Sequence, residues 1–170
     1  MRKLKLFSLL MLLFVGIGQV WGSIANPYTT TIGSKQWSSS GSSVTLDEVS
    51  WTLTTNGTYF GYDATKGQQI STSVTSVSLR TSDIEGTINS ITINTSGGSK
   101  TSASVSVSVG GNTYSPASSS ITSSAANYTF TGSSSGEIVI SWSQSAVKAV
   151  YFKSITVNYT PSGGTEEPTV

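Results

Sequence analysis

The segment Ser104-Val105-Ser106-Val107-Ser108-Val109 alternates hydroxyl and branched apolar side chains without a break. Successive side chains of a strand point to opposite faces, so such a stretch has one dry face and one wet face. The same period recurs along the chain: Val49, Trp51 and Leu53; Val77 and Leu79; Ile91 and Ile93; Tyr128 and Phe130; Ile138, Ile140 and Trp142; Ile155, Val157 and Tyr159. Beyond residue 22 no run of ten residues carries a 3.6-residue period. Asn56-Gly57, Ser96-Gly97-Gly98, Gly110-Gly111-Asn112 and the stretch Gly132 to Gly136 punctuate the strands as turns, with a hairpin expected around Gly110-Gly111. Eight or nine short strands with one apolar face each predict an all-β antiparallel sandwich. A closed barrel is the alternative, and the lack of a fixed internal repeat argues against a solenoid.

This pattern explains an unusual composition. The chain has 35 Ser and 24 Thr among 170 residues, and only 10% of it is charged. Thr suits strands, and Ser alternating with Val and Ile keeps an exposed sheet face wet with few charges. There is no Cys and no His, which excludes disulfides, thiolate chemistry, a Ser-His-Asp triad and a His-ligated zinc site. No strained nucleophile turn accompanies the Ser and Lys that remain. The chain therefore reads as a non-enzyme with no cofactor.

Met1-Arg2-Lys3-Leu4-Lys5 is a basic start, and Leu6 to Val20 is an apolar run too short to span a membrane. Residues 1–22 are expected to be a signal peptide, cleaved after Gly22 or Ala25, which makes the protein secreted or cell-surface. The whole chain carries +1; three of its nine basic residues lie in the leader, so the exported part carries six basic and eight acidic groups, a charge of −2. That balance argues against nucleic acid and anionic membranes. A single β domain over residues 23–160 is expected, followed by a Pro/Gly/Thr/Glu tail, residues 161–170, that suits a flexible linker to a further domain.

Three segments carry a resemblance: Trp51-Thr52-Leu53 leading to Tyr59 through Ile70; Tyr128 through Gly132 with Gly136 through Ile140; and Ala149 through Tyr159. Together they resemble the secreted β-sandwich accessory domains of Bacteroidetes-type bacteria, over about residues 28–160. The resemblance implies a jelly-roll form like that of carbohydrate-binding and galactose-binding-like modules, and service to a larger protein. It names no ligand residues.

Candidate binding residues come from the side chains themselves. Sugar sites set aromatic faces against C–H faces and let Asp, Asn and Gln bond hydroxyls. Tyr59, Tyr62, Asp63, Lys66 and Gln68 stand in the most unusual stretch of the chain and could form such a site; alternatively Tyr59 and Phe60 pack while Asp63 and Lys66 decorate a turn closed by Gly67. Trp51 and Trp142 fall on inward parity. Trp37 lies in the polar run Gly33 to Ser38, where it could be a stacking platform or a lid over one end of the sandwich. Asp47-Glu48 should point to opposite faces unless a bend intervenes, and Asp83 with Glu85 offers too few oxygens for calcium. No metal residues are assigned. The leading expectation is a secreted, non-catalytic module for a polysaccharide or cell-surface glycan. The alternative is a structural or self-associating surface protein whose strands pair with neighbours.

Overall fold

The computed structural model describes residues 23–163. The predicted leader, residues 1–22, and residues 164–170 of the tail lie outside the described residues. The strands are β1 (Tyr28–Thr31), β2 (Ser42–Leu46), β3 (Val49–Thr55), β4 (Tyr59–Asp63), β5 (Gly67–Ser71), β6 (Ser76–Thr81), β7 (Thr87–Gly97), β8 (Ser104–Val109), β9 (Asn112–Thr113), β10 (Ser119–Ser120), β11 (Ala126–Ser134), β12 (Ile138–Ser143) and β13 (Val150–Thr160). They form two antiparallel sheets, the all-β sandwich that the alternation predicts. The count exceeds the expected eight or nine partly because β1, β9 and β10 are two to four residues long and show no period of their own.

One sheet runs in the order β11-β7-β13-β5-β4, and β1 takes the remaining edge of β13. The other runs β10-β8-β12-β6-β3-β2, with β9 beside β8. The inward parity read from the sequence holds: Val49, Trp51, Leu53, Val77, Leu79, Ile91, Ile93, Val105, Val107, Val109, Ile138, Ile140, Trp142, Ile155 and Val157 are all buried. Trp142 stacks on Phe152 at 5.2 Å between centroids, and Trp37 meets the same ring edge-on at 5.8 Å. Among the described residues each indole N–H is satisfied. Trp51 donates to the Tyr28 hydroxyl at 3.0 Å, Trp142 to Thr95 Oγ1 at 2.9 Å and Trp37 to the Trp51 carbonyl at 3.3 Å. Buried Trp is stable only with such partners.

The turn signals divide into three outcomes. Gly110-Gly111 closes the β8–β9 hairpin with φ of 55° and 83°, as expected of a two-residue turn. Asn56-Gly57 is not a hairpin turn, because β3 and β4 belong to different sheets. There Asn56 ties the crossing together: its Oδ1 accepts from the Thr75 and Ser76 N–H groups, and its Nδ2 donates to Thr75 Oγ1 and the Ser73 carbonyl. Ser96-Gly97 and Gly132 to Ser134 are strand rather than turn. The β7–β11 register shifts between Thr131 and Ser134, a bulge that Tyr114 fills. A Cβ on Gly132 would lie 2.5 Å from that ring, while the Tyr114 hydroxyl donates to the Ile88 carbonyl and accepts from the Ser134 N–H.

A second bulge adjoins the candidate site. Phe152 and Ile155 both point inward although an odd number of steps separates them, and the β13–β7 register accordingly shifts between Phe152 and Ser154. Tyr151 and Lys153, which flank the inward Phe152, share the outer side of this sheet beside the β4–β5 hairpin.

Candidate functional site

The residues singled out in the sequence separate onto two sides of one sheet. Trp37 and Gln68 are both fully buried. Gln68 Oε1 accepts from the N–H groups of Gln36 and Trp37, and its Nε2 donates to the Trp37 carbonyl. These contacts correct the expectation that both meet a ligand: the amide is spent holding the loop, and the Trp37 ring is walled in by Phe152 and the rest of the core. Trp37 is thus nearer to the lid reading. Tyr62 shares the parity of Gln68, its cross-strand neighbour, and points to the inner side. It stays 36% exposed because β4 is an edge strand.

Tyr59 and Asp63 have the opposite, outward parity, with Gly61 between them. The β4–β5 loop is a turn stapled by Asp63, whose Oδ1 accepts from Thr65 N, Thr65 Oγ1 and Lys66 N at 2.6–2.9 Å. Those bonds, the Thr65 hydroxyl first, hold the carboxyl below its ordinary range, so it is ionised at neutral pH. Gly67 closes the turn at φ +88°, where a Cβ would meet the Phe152 carbonyl at 2.2 Å. Asp63 and Lys66 therefore belong to a turn closed by Gly67, and the turn sets where both side chains sit.

Across the outer side, Gly61 faces Gln69 and Gln69 faces Tyr151 in one cross-strand row. Gly61 lacks a side chain, and the Tyr59 ring occupies that space: a Cβ there would lie 2.6 Å from Tyr59 Cε1 and 3.0 Å from its hydroxyl. The ring therefore lies along the sheet over Gly61, 51% exposed, where an upright tyrosine would stand clear of the strand. Lys66 reaches over the Tyr151 ring, its Nζ 4.9 Å from the centroid and 2.9 Å from the Ser123 carbonyl. Lys153 Nζ donates to the carbonyls of Thr65 at 3.1 Å and Ala64 at 3.4 Å. Burial first, then the Asp63 charge and Tyr59, pushes the Tyr151 hydroxyl above its ordinary pKa. The surface is a half-open aromatic face surrounded by amide, carboxylate and ammonium groups.

Tyr151, Gln69 and Lys153 belong to this surface and were not singled out from the sequence. Parity could have found Tyr151, since burying Val150 and Phe152 turns the residue between them outward. The same parity turns Lys153 outward, and the change of apolar phase between Phe152 and Ile155 is the local mark of the bulge.

The acidic candidates lie elsewhere. Asp47 and Glu48 are not on a strand; both have positive φ, 46° and 72°, in the β2–β3 turn, so a bend does intervene. Asp83 Oδ2 accepts from the Ser50 N–H at 2.7 Å, beside a shallow depression that includes Arg80 and Glu137, paired at 3.5 Å. Among the described residues no three acidic groups converge as a metal site would require.

No family model matches the chain, and no curated protein matches it. Solved structures give likenesses of low identity. A CBM36-1 domain of a multidomain xylanase from the hindgut metagenome of Trinervitermes trinervoides is 15% identical, with a TM-score of 0.45 over 66% of this chain and 99% of that one. A carbohydrate-binding module CBM36 in complex with calcium and xylotriose is 18% identical, with a TM-score of 0.42 over 62% and 93%. A TmCBM61 in complex with β-1,4-galactotriose is 15% identical, with a TM-score of 0.45 over 65% and 88%. Likenesses of this strength assign neither family nor ligand to the chain.

Proposed function

We propose that this chain is an exported, non-catalytic glycan-binding module whose binding surface is the outer side of β4, β5 and β13. The observation that carries the reading is the Tyr59 ring lying over Gly61. Sugars present flat C–H faces that pack on aromatic rings, and a ring laid along a sheet offers its face at little conformational cost. Gln69 and Asp63 Oδ2 stand beside it as partners for hydroxyls. The apolar start of the chain supports export, and the tail supports service within a longer protein.

The test is an affinity measurement of the full chain against a panel of plant and microbial polysaccharides, with Tyr59→Ala and Gly61→Val as paired variants. Tyr59→Ala removes the platform and Gly61→Val displaces it. Both should lower binding at least tenfold while the near-ultraviolet circular dichroism of the buried Trp residues stays unchanged. Full binding by both variants would end the reading.

A further inference from the structure

We infer that the glycan taken by this surface carries carboxylates: a chain containing hexuronate units. The inference rests on the Tyr59 platform reading and adds its charge chemistry. Residues 23–163 hold six basic and six acidic side chains, and two of the six basic ones, Lys66 and Lys153, converge beside Tyr151. Among the described residues the one salt bridge joins Arg80 to Glu137, so neither lysine is neutralised by a carboxylate at contact distance. What holds them is backbone: Lys66 on the Ser123 carbonyl, and Lys153 on those of Ala64 and Thr65. An ammonium has three N–H donors. One of Lys66's is spent and two of Lys153's, which leaves three to be met from outside.

Among the described residues the only carboxylate in the cluster is Asp63, and its Oδ1 is committed to three donors within its own turn. The surface thus carries a net positive charge although residues 23–163 are balanced overall. The two lysines are also restrained. Lys66 lies across an aromatic face and is anchored to the 122–124 segment, and Lys153 sits at a strand bulge with two carbonyl contacts. An ammonium already held in place loses less entropy on meeting an anion than a free surface lysine does. A pyranose on Tyr59 would place groups on its ring toward Gln69, Tyr151 and these donors. A carboxylate on that ring meets unspent N–H groups; a plain hydroxymethyl leaves the charge unanswered.

The experiment uses the full chain with polygalacturonate, alginate and glucuronoxylan, each beside its carboxyl-reduced counterpart, at low and at moderate salt. One of the acidic polymers should bind at least tenfold tighter than its reduced form. That preference should shrink as salt rises. It should vanish in Lys66→Met and in Lys153→Met, whose unchanged melting temperatures show that they fold. Equal binding of acidic and reduced polymers, both lost in Tyr59→Ala, overturns the inference and leaves the platform reading standing. Binding indifferent to Tyr59→Ala overturns both. Equal binding of polyglutamate, an anion with no sugar ring, also overturns the inference.

Discussion

Gln68 on β5 holds Trp37 by both ends of its amide, Oε1 accepting from the Trp37 N–H at 3.2 Å and Nε2 donating to the Trp37 carbonyl at 3.1 Å. Because the Trp37 indole donates to the Trp51 carbonyl of β3, the pair ties one sheet to the other. The loop before β2 has no strand partner of its own at this point, so a side chain 31 positions away supplies the hydrogen bonds that a neighbouring strand would otherwise give. Replacing the amide with an apolar group of similar size leaves the buried N–H and C=O of Trp37 unmet. Gln68→Leu should therefore cost about 2–6 kcal/mol in urea unfolding, at roughly 1–3 kcal/mol per orphaned group. Trp37 emission should shift to the red at denaturant levels where the rest of the chain is still folded. An unchanged midpoint would show that the loop is held by other means.

Gly67 faces two constraints at once, a positive φ and a carbonyl where its Cβ would go. The left-handed backbone alone costs a residue with a Cβ about 1–2 kcal/mol. Gly67→Ala should lose more than that, at least about 3 kcal/mol in chemical denaturation, because Phe152 and the β13 backbone must also give way. Gly111→Ala is the control, since its Cβ would meet open space. Its loss should stay near the backbone figure.

Tyr114 plugs the β11 bulge by its hydroxyl as well as its ring. Tyr114→Phe keeps the ring and removes both bonds. A loss of about 1–2 kcal/mol is expected, together with faster amide exchange at Ser134 and the rest of the bulge, read by hydrogen-exchange mass spectrometry. Unaltered exchange there would show that the bulge stands on its own.

Alkaline pH should unfold the protein in a window set by its buried phenols. Burial raises Tyr28 and Tyr114 above the ordinary value of 10.0, with the Trp51 and Ser134 contacts respectively opposing part of the rise. Tyr151 is raised as well. A group with a raised folded pKa contributes stability that is whole below its unfolded pKa and is lost as pH climbs through the folded one. The melting temperature should thus hold steady up to about pH 9 and fall above pH 10, in step with phenolate absorbance. Asp63 works in the opposite sense at the acid end: its contribution is present above 3.8 and fades as pH falls through the lowered folded value.

The sandwich was readable because alternation is a local property: a Val-Ser-Val run shows its two faces without reference to the rest of the chain. What escaped depends on distant residues. The glycines at 132 and 136 look alike in the sequence, yet the first lies in a bulge under Tyr114 and the second is a loop residue at φ +116°. Trp37 stands among Ser, Lys and Gln and reads as exposed, and its burial is decided by Gln68 and Phe152. The candidate surface was half legible. Tyr59, Asp63 and Lys66 stood out by composition, whereas Tyr151 and Lys153 join them only through the pairing of β13 with β5, which no local pattern marks.

The first and last strands of the sandwich lie side by side. Tyr28 pairs with Val157, Asn26 Nδ2 donates to the Tyr159 carbonyl, and the Tyr159 hydroxyl donates to the Ile24 carbonyl. Both ends of the fold therefore leave from one corner, and the path of the chain is nearly a closed loop. A loop can be cut elsewhere and rejoined at its natural seam. A short Gly/Ser bridge from residue 163 to residue 23, with new termini opened at Gly111, should yield a permuted chain with the same two sheets. The same corner lets the domain be spliced into a host polypeptide as a cassette, entering and leaving at one point while the β4–β5 surface stays clear of the junction.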